Sequence, residues 1–173
     1  MVQASAWDEG SSRRRAHSGL RWAHARFADA IESEMDDRIY CSAVEMTIWA
    51  CALDEILGMS DGTYKARRDQ DADGRRLVGL RWARNRGVHS IMNLHQVQHG
   101  ETIPVRIPVR YWDIHWLPRD RIPTPQVSKP IQERAYDDYL AGESVEVTLA
   151  VVNRFLTGPS AAGESYPELR WRP

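Results

Sequence analysis

Residues 39–58, IYCSAVEMTIWACALDEILG, constrain the fold more than any other stretch of the chain. The apolar side chains Val44, Met46, Ile48, Trp49, Cys51, Leu53, Ile56 and Leu57 leave no purely polar face when wound on a helix. A helix of that kind is central and buried, and the rest of the chain has to wrap it. The segment is broken by Glu45, Asp54 and Glu55, and no run approaches the ~18 apolar residues of a membrane span. Gly58 reads as its C-terminal stop.

The wrapping elements show in the periodicity. Ala16, Leu20, Ala23, Phe27 and Ile31 recur at three- and four-residue steps, which predicts an amphipathic helix over 14–36. MSDGTYKARRDQDADGRR, residues 59–76, reads as a charged loop. A further helix is expected over 75–98. Composition then changes: ETIPVRIPVRYWDIHWLPRDRIPTP is β-branched, aromatic and punctuated by prolines that disfavour a central strand, so short edge strands or an extended arm are expected. Helical pattern returns over 130–157, broken at AGES: Tyr136, Tyr139 and Leu140 mark one piece, Val145, Leu149, Val152 and Leu156 the next. The expectation is a mainly α fold: a single helical bundle over 13–157, with a short β or extended proline-rich insertion at about 101–127 before the last helices. Residues 1–12 and 158–173 read as flexible flanks.

A length of 173 residues suits one such domain with a real core. Lys and Arg total 23 against 24 Asp and Glu, so any contact with nucleic acid has to be a local patch. Cys41 and Cys51, ten residues apart on one helix, lie about 15 Å apart along its axis, too far for a disulfide. They read as buried thiols of a reducing compartment. The basic cluster near the N-terminus has no apolar run after it, so a cytoplasmic protein without a membrane partner is expected.

The chemistry concentrates in RWARNRGVHS, residues 81–90. On a wheel of the 75–98 helix, Leu77, Leu80, Val88, Ile91 and Leu94 form the core stripe, and Arg84 falls inside it. A buried guanidinium has to reach an acid, water, a cleft or a subunit boundary. Asn85 and His89, four residues apart, share the adjoining face. Arg matches phosphate oxygens with a forked donor, and His moves protons near neutral pH. Together they suit a phosphodiester site with no metal or cofactor, because the 2′-hydroxyl of RNA supplies the nucleophile. The bland alternative is a polar helix face. Glu45, Asp54 and Glu55 are the candidate acidic partners of this cluster. Arg81 and Arg86 read as surface charges or as grips on an RNA backbone. His95 and His99 have a zinc-like spacing but no evident third ligand. Tyr111, Trp112 and Trp116, with Arg106 and Arg110, read as a base-stacking run or a small satellite core.

Arg84-Asn85-Arg86-Gly87-Val88-His89 resembles the signature of the HEPN superfamily: Arg, a polar residue, three variable residues, then His. The resemblance implies an all-α bundle and a metal-independent endoribonuclease. It implies a homodimer whose two motifs meet in one composite site, with a second copy facing Arg84. It also implies a toxin or phage-defence role, with an antitoxin or sensor protein as partner. His89 would then be the general acid/base, Arg84 the phosphate-stabilising group and Asn85 the orienting one. The rival reading is a non-catalytic HEPN-like helical protein that binds RNA or a protein partner.

Overall fold

The computed structural model describes residues 8–33, 36–86, 92–95, 113–122 and 129–158. The protein is mainly helical. Helix α1 spans Glu9–Glu32 and α2 spans Asp36–Ser60. Gly19 lies against Trp49 and Arg26 against Glu45, so the two helices run antiparallel. The predicted stripe of α1 is the buried one, with Ala30 added and Ile31 at its margin.

Helix α2 is central, touching α1 and three of the helices described below. Its burial is not all-round, however. Ile39, Ala43, Met46, Ala50, Cys51, Leu53 and Leu57 are in the core, whereas Ile48 keeps 48 % of its surface exposed and Cys41 is exposed too. The two are seven positions apart, so they share one line of the helix, and both face outward on it. Cys41 is therefore not the buried thiol expected. Gly58 does not stop the helix, which continues to Ser60.

The charged stretch after α2 is not a loop. Asp61 Oδ1 accepts the Thr63 N–H at 2.8 Å, and this turn starts the short helix α3, Tyr64–Gln70. Asp71 then caps α4, Ala72–Asn85, by accepting the Asp73 and Gly74 N–H groups at 2.7 and 3.0 Å. Local capping and two buried side chains, Tyr64 and Arg68, override the polar composition.

The helix expected to reach residue 98 ends at Asn85, where the Arg86 N–H bonds back to Trp82 and Ala83. Residues Met92–His95 are instead strand β1, paired antiparallel with β2, Asp113–Trp116, with Met92 opposite Trp116 and His95 opposite Asp113. Met-Asn-Leu-His alternates with period two, a strand signal hidden by the longer helical wheel. β2 is the strand expected of the proline-rich insertion, most of which lies outside the described residues. Its Ile114 and Trp116 are buried in the main core, so Trp116 is not a base-stacking surface. Tyr111 and Trp112 lie outside the described residues.

Helix α5 is Pro130–Tyr139 and α6 is Val145–Thr157. Gly142 makes the turn between them at φ 79°, a conformation that favours glycine. β2 is strapped to that turn: the Trp116 N–H donates to Glu143 O at 3.0 Å, and the Gly142 N–H to Trp116 O at 2.9 Å. Val145, Leu149, Val152 and Leu156 of α6 are buried, as their spacing predicts. Helix α4 crosses α5 closely at Gly79, where a Cβ would stand 2.9 Å from the Ala135 carbonyl oxygen.

Candidate functional site

Two consecutive acids near the C-terminal end of α2 organise the site. Successive helix positions diverge by about 100°, so Asp54 is buried while Glu55 reaches the surface. Helix α4 presents Arg81 and Arg84 one turn apart toward them. Arg81 bridges the two acids, with Nη1 at 3.3 Å from Asp54 Oδ2 and Nη2 at 3.1 Å from Glu55 Oε1. Arg84 Nη2 lies 2.9 Å from the same Glu55 oxygen.

Asp54 also gathers helix α3. Its side chain is 0 % exposed. Oδ1 accepts from the Tyr64 hydroxyl at 2.9 Å, and Arg68 Nη1 donates to both carboxylate oxygens at 3.1 Å. Arg68 is held from its other side by Asp69, at 2.7 Å. Three guanidiniums thus face the carboxylates of Asp54, Glu55 and Asp69. Burial works against the Arg68 charge, but Asp54 and Asp69 outweigh it and raise its pKa. Burial raises the Glu55 carboxyl, yet the hydrogen bonds from Arg84 and Arg81 win, and its pKa lies below the ordinary value. Burial, then the Asp54 charge, pushes the Tyr64 hydroxyl up, so it stays a neutral donor. Burial likewise pushes the neighbouring Cys51 thiol up to about 12, which makes it unreactive.

Arg84 owes its place on an apolar stripe to Glu55 within the same chain. No second subunit is needed to explain it. Leu77 and Leu80 of that stripe are fully buried, and Arg84, at its end, keeps 28 % of its side chain exposed. Its Nη2 also donates to Asn85 Oδ1 at 3.2 Å, and Asn85 Nδ2 reaches Gln132 Oε1 of α5 at 3.5 Å. The guanidinium and carboxamide are side by side at the helix end. His89 and Gly87 lie outside the described residues. Helix α4 ends at Asn85, so the face expected to be shared by Asn85 and His89 falls partly outside the described residues.

The other candidates separate clearly. Glu45 is the partner of Arg26, whose Nε donates to it at 3.0 Å, and does not face Arg84. Asp54 serves Arg81 and Arg68. Arg86 is no open surface charge: its side chain is only 10 % exposed, its guanidinium stacks 4.9 Å above the Trp82 ring, and it lies 3.8 Å from Glu133. His95 belongs to β1, and His99 lies outside the described residues, so the helical spacing of a zinc pair does not apply. Among the described residues no group of three His, Cys, Asp or Glu could hold a metal ion, and no helix is long and apolar enough to cross a membrane.

Sequence reasoning missed Tyr64, Arg68 and Gln132. The first two carried a signal: they are four residues apart, hence on one helical face, within a stretch dismissed for its charge. Gln132 had none, because only the packing of α5 on α4 brings it to Asn85. No family model, curated protein or solved structure matches the chain.

Proposed function

We propose that the chain is a metal-independent endoribonuclease of the HEPN type, acting as a homodimer. One observation carries the reading: Arg84 and Asn85 stand adjacent and fixed at the open end of α4, held by Glu55 and Gln132, and His89 follows four residues on in the chain. In the proposed reaction His89 takes the proton of the 2′-hydroxyl. The 2′-oxygen forms a bond to phosphorus, and the bond from phosphorus to the 5′-oxygen breaks. The leaving oxygen takes a proton from the second His89 of the dimer. Arg84 stabilises the charge on the phosphorane, and Asn85 keeps Arg84 in place. The products are a 2′,3′-cyclic phosphate and a 5′-hydroxyl.

The test is cleavage of RNA in EDTA. Wild type is expected to cut, His89→Ala to be inactive, and Arg84→Ala to lose about 100- to 1,000-fold, the usual effect of removing one such donor. Equal activity in all three refutes the assignment. Growth arrest on expression of wild type but not of His89→Ala checks the toxin or defence role, and co-expressed candidate antitoxin or sensor proteins would relieve it.

A second reading has its own support. Glu55 shares its charge with Arg84 at 2.9 Å, and the cluster around it is electrically balanced, which suits a structural pair in a non-catalytic protein that binds RNA or a protein partner. On that reading RNA is retained without cleavage, or not retained, and His89→Ala changes nothing.

A further inference from the structure

Arg68 and Arg81 are spent on Asp54, Asp69 and Glu55, and Arg84 is fixed at one point, so the rest of a polyanion has to be held by other cations. A cleft of about 400 Å³ between α4 and α5 supplies them, and a second of about 370 Å³ adjoins it and shares the Val78 and Ile131 walls. Arg75 and Arg134 line the first, Lys129 the second, and all three are exposed. Among the described residues none of the three has a carboxylate partner; Arg75 instead stacks 5.3 Å from the centre of the Tyr139 ring. The acids on the walls are Asp69, which Arg68 holds, and Asp138. Ile131, 80 % exposed, provides an apolar shoulder above this basic floor.

The clefts lead toward Arg84. Arg75, Val78 and Arg81 follow one another at three-residue steps along α4, and all three line the clefts. The second cleft is lined by Gln132, the residue that meets Asn85. From Arg75 to Arg84 the helix advances about 14 Å. We infer that this groove is the track that holds the sugar-phosphate backbone of single-stranded RNA and delivers it to Arg84. The inference rests on the ribonuclease reading for its direction, and it supplies the local basic patch that a chain of net charge −1 needs. Single-stranded RNA fits because exposed cations line both of the adjoining clefts, while Ile131 and Val78 offer apolar contact to sugars and bases.

The experiment measures binding of a fluorescent oligouridylate of roughly 12 nucleotides, a length in the range such grooves cover, to full-length His89→Ala protein. Each lost phosphate contact on a single strand lowers the slope of log affinity against log salt by about 0.7, or about 5-fold in affinity near 0.1 M salt. Added substitutions Arg75→Gln, Lys129→Gln and Arg134→Gln are therefore expected to flatten the slope by about 2 and weaken binding on the order of 100-fold. A Lys129→Gln/Arg134→Gln pair, which leaves the Tyr139 stack intact, is expected to lose about 25-fold with an unchanged melting temperature. Unaltered affinity and slope in both variants overturn the groove, as does absence of binding by His89→Ala protein. A polyglutamate peptide bound as tightly as the RNA overturns RNA as the occupant. Loss of binding in the groove variants with no cleavage by wild type leaves the groove standing and removes the nuclease. Cleavage by wild type with binding untouched does the reverse.

Discussion

Asp54→Ala tests whether the buried cluster holds helices α2, α3 and α4 together. The carboxylate is fully buried and receives Tyr64, Arg68 and Arg81. Removing one member of a buried ion pair costs about 3–5 kcal/mol, because it leaves a desolvated charge behind. Here both guanidiniums keep a second carboxylate, Asp69 for Arg68 and Glu55 for Arg81, so the expected loss is at the lower end, about 3 kcal/mol. For a chain of this size that is about 6–12 °C in melting temperature. Tyr64→Phe removes one hydrogen bond and leaves both ion pairs, and is expected to cost about 1 kcal/mol. In the Asp54→Ala background the same change should cost less, since its acceptor is gone. Urea unfolding with an unchanged slope reads these values. A loss under about 1 kcal/mol for Asp54→Ala, or equal losses for both single variants, would refute the reasoning that the carboxylate is the organising group.

Three further outcomes follow from the structure. Gly79→Ala drives a methyl into the Ala135 carbonyl and Leu140, and is expected to cost about 1–3 kcal/mol by chemical denaturation as α4 and α5 separate. Native protein should react with a thiol reagent at exposed Cys41 only, and at both cysteines once unfolded, because burial keeps the Cys51 thiol protonated. The Glu55 carboxyl is lowered from 4.5, with burial opposed and outweighed by the Arg84 and Arg81 hydrogen bonds. Its contribution to stability should therefore be complete above the ordinary carboxylate value and fade as pH falls through the lowered one; melting curves of Glu55→Gln against wild type should converge only in acid.

The helices that bury one clean stripe were legible in the sequence, because periodicity reports burial directly. Ala16, Leu20, Ala23 and Phe27 on α1, and Val145, Leu149, Val152 and Leu156 on α6, show this. Two kinds of information were not. The charged segment after α2 was read by composition, while its fold rests on one Asx turn at Asp61, one cap at Asp71 and the burial of Arg68 by Asp54, a residue 14 positions away. The end of α4 was read through, because Val88, Ile91 and Leu94 continue a helical stripe by coincidence of spacing. The pairing of residues 92–95 with a strand some 20 residues later is a non-local event that a wheel does not contain. In the candidate site, the Arg84–Asn85 adjacency was legible and the identity of the acid was narrowed to three residues. The structure chose Glu55 because it alone stands on the side of α2 that Arg84 reaches.

The arginines of α4 divide by what they touch, and that division decides what the helix can do. Arg76 donates to the Tyr139 carbonyl at 2.8 Å and ties α4 to α5. Arg81 is spent between Asp54 and Glu55. Among the described residues, Arg75 has a ring beneath it but no anion, and Arg84 shares its one acid with Arg81 while its side chain still meets solvent. A guanidinium fixed by an acid loses part of its charge but gains a defined position. A transition-state donor benefits from position most, and a backbone grip from charge most. The arrangement therefore suits the proposed division of labour along one helix face, in which Arg75, with Lys129 and Arg134, would attract the polyanion, and Arg84, held by Glu55 and flanked by Asn85, would meet one phosphate in one orientation.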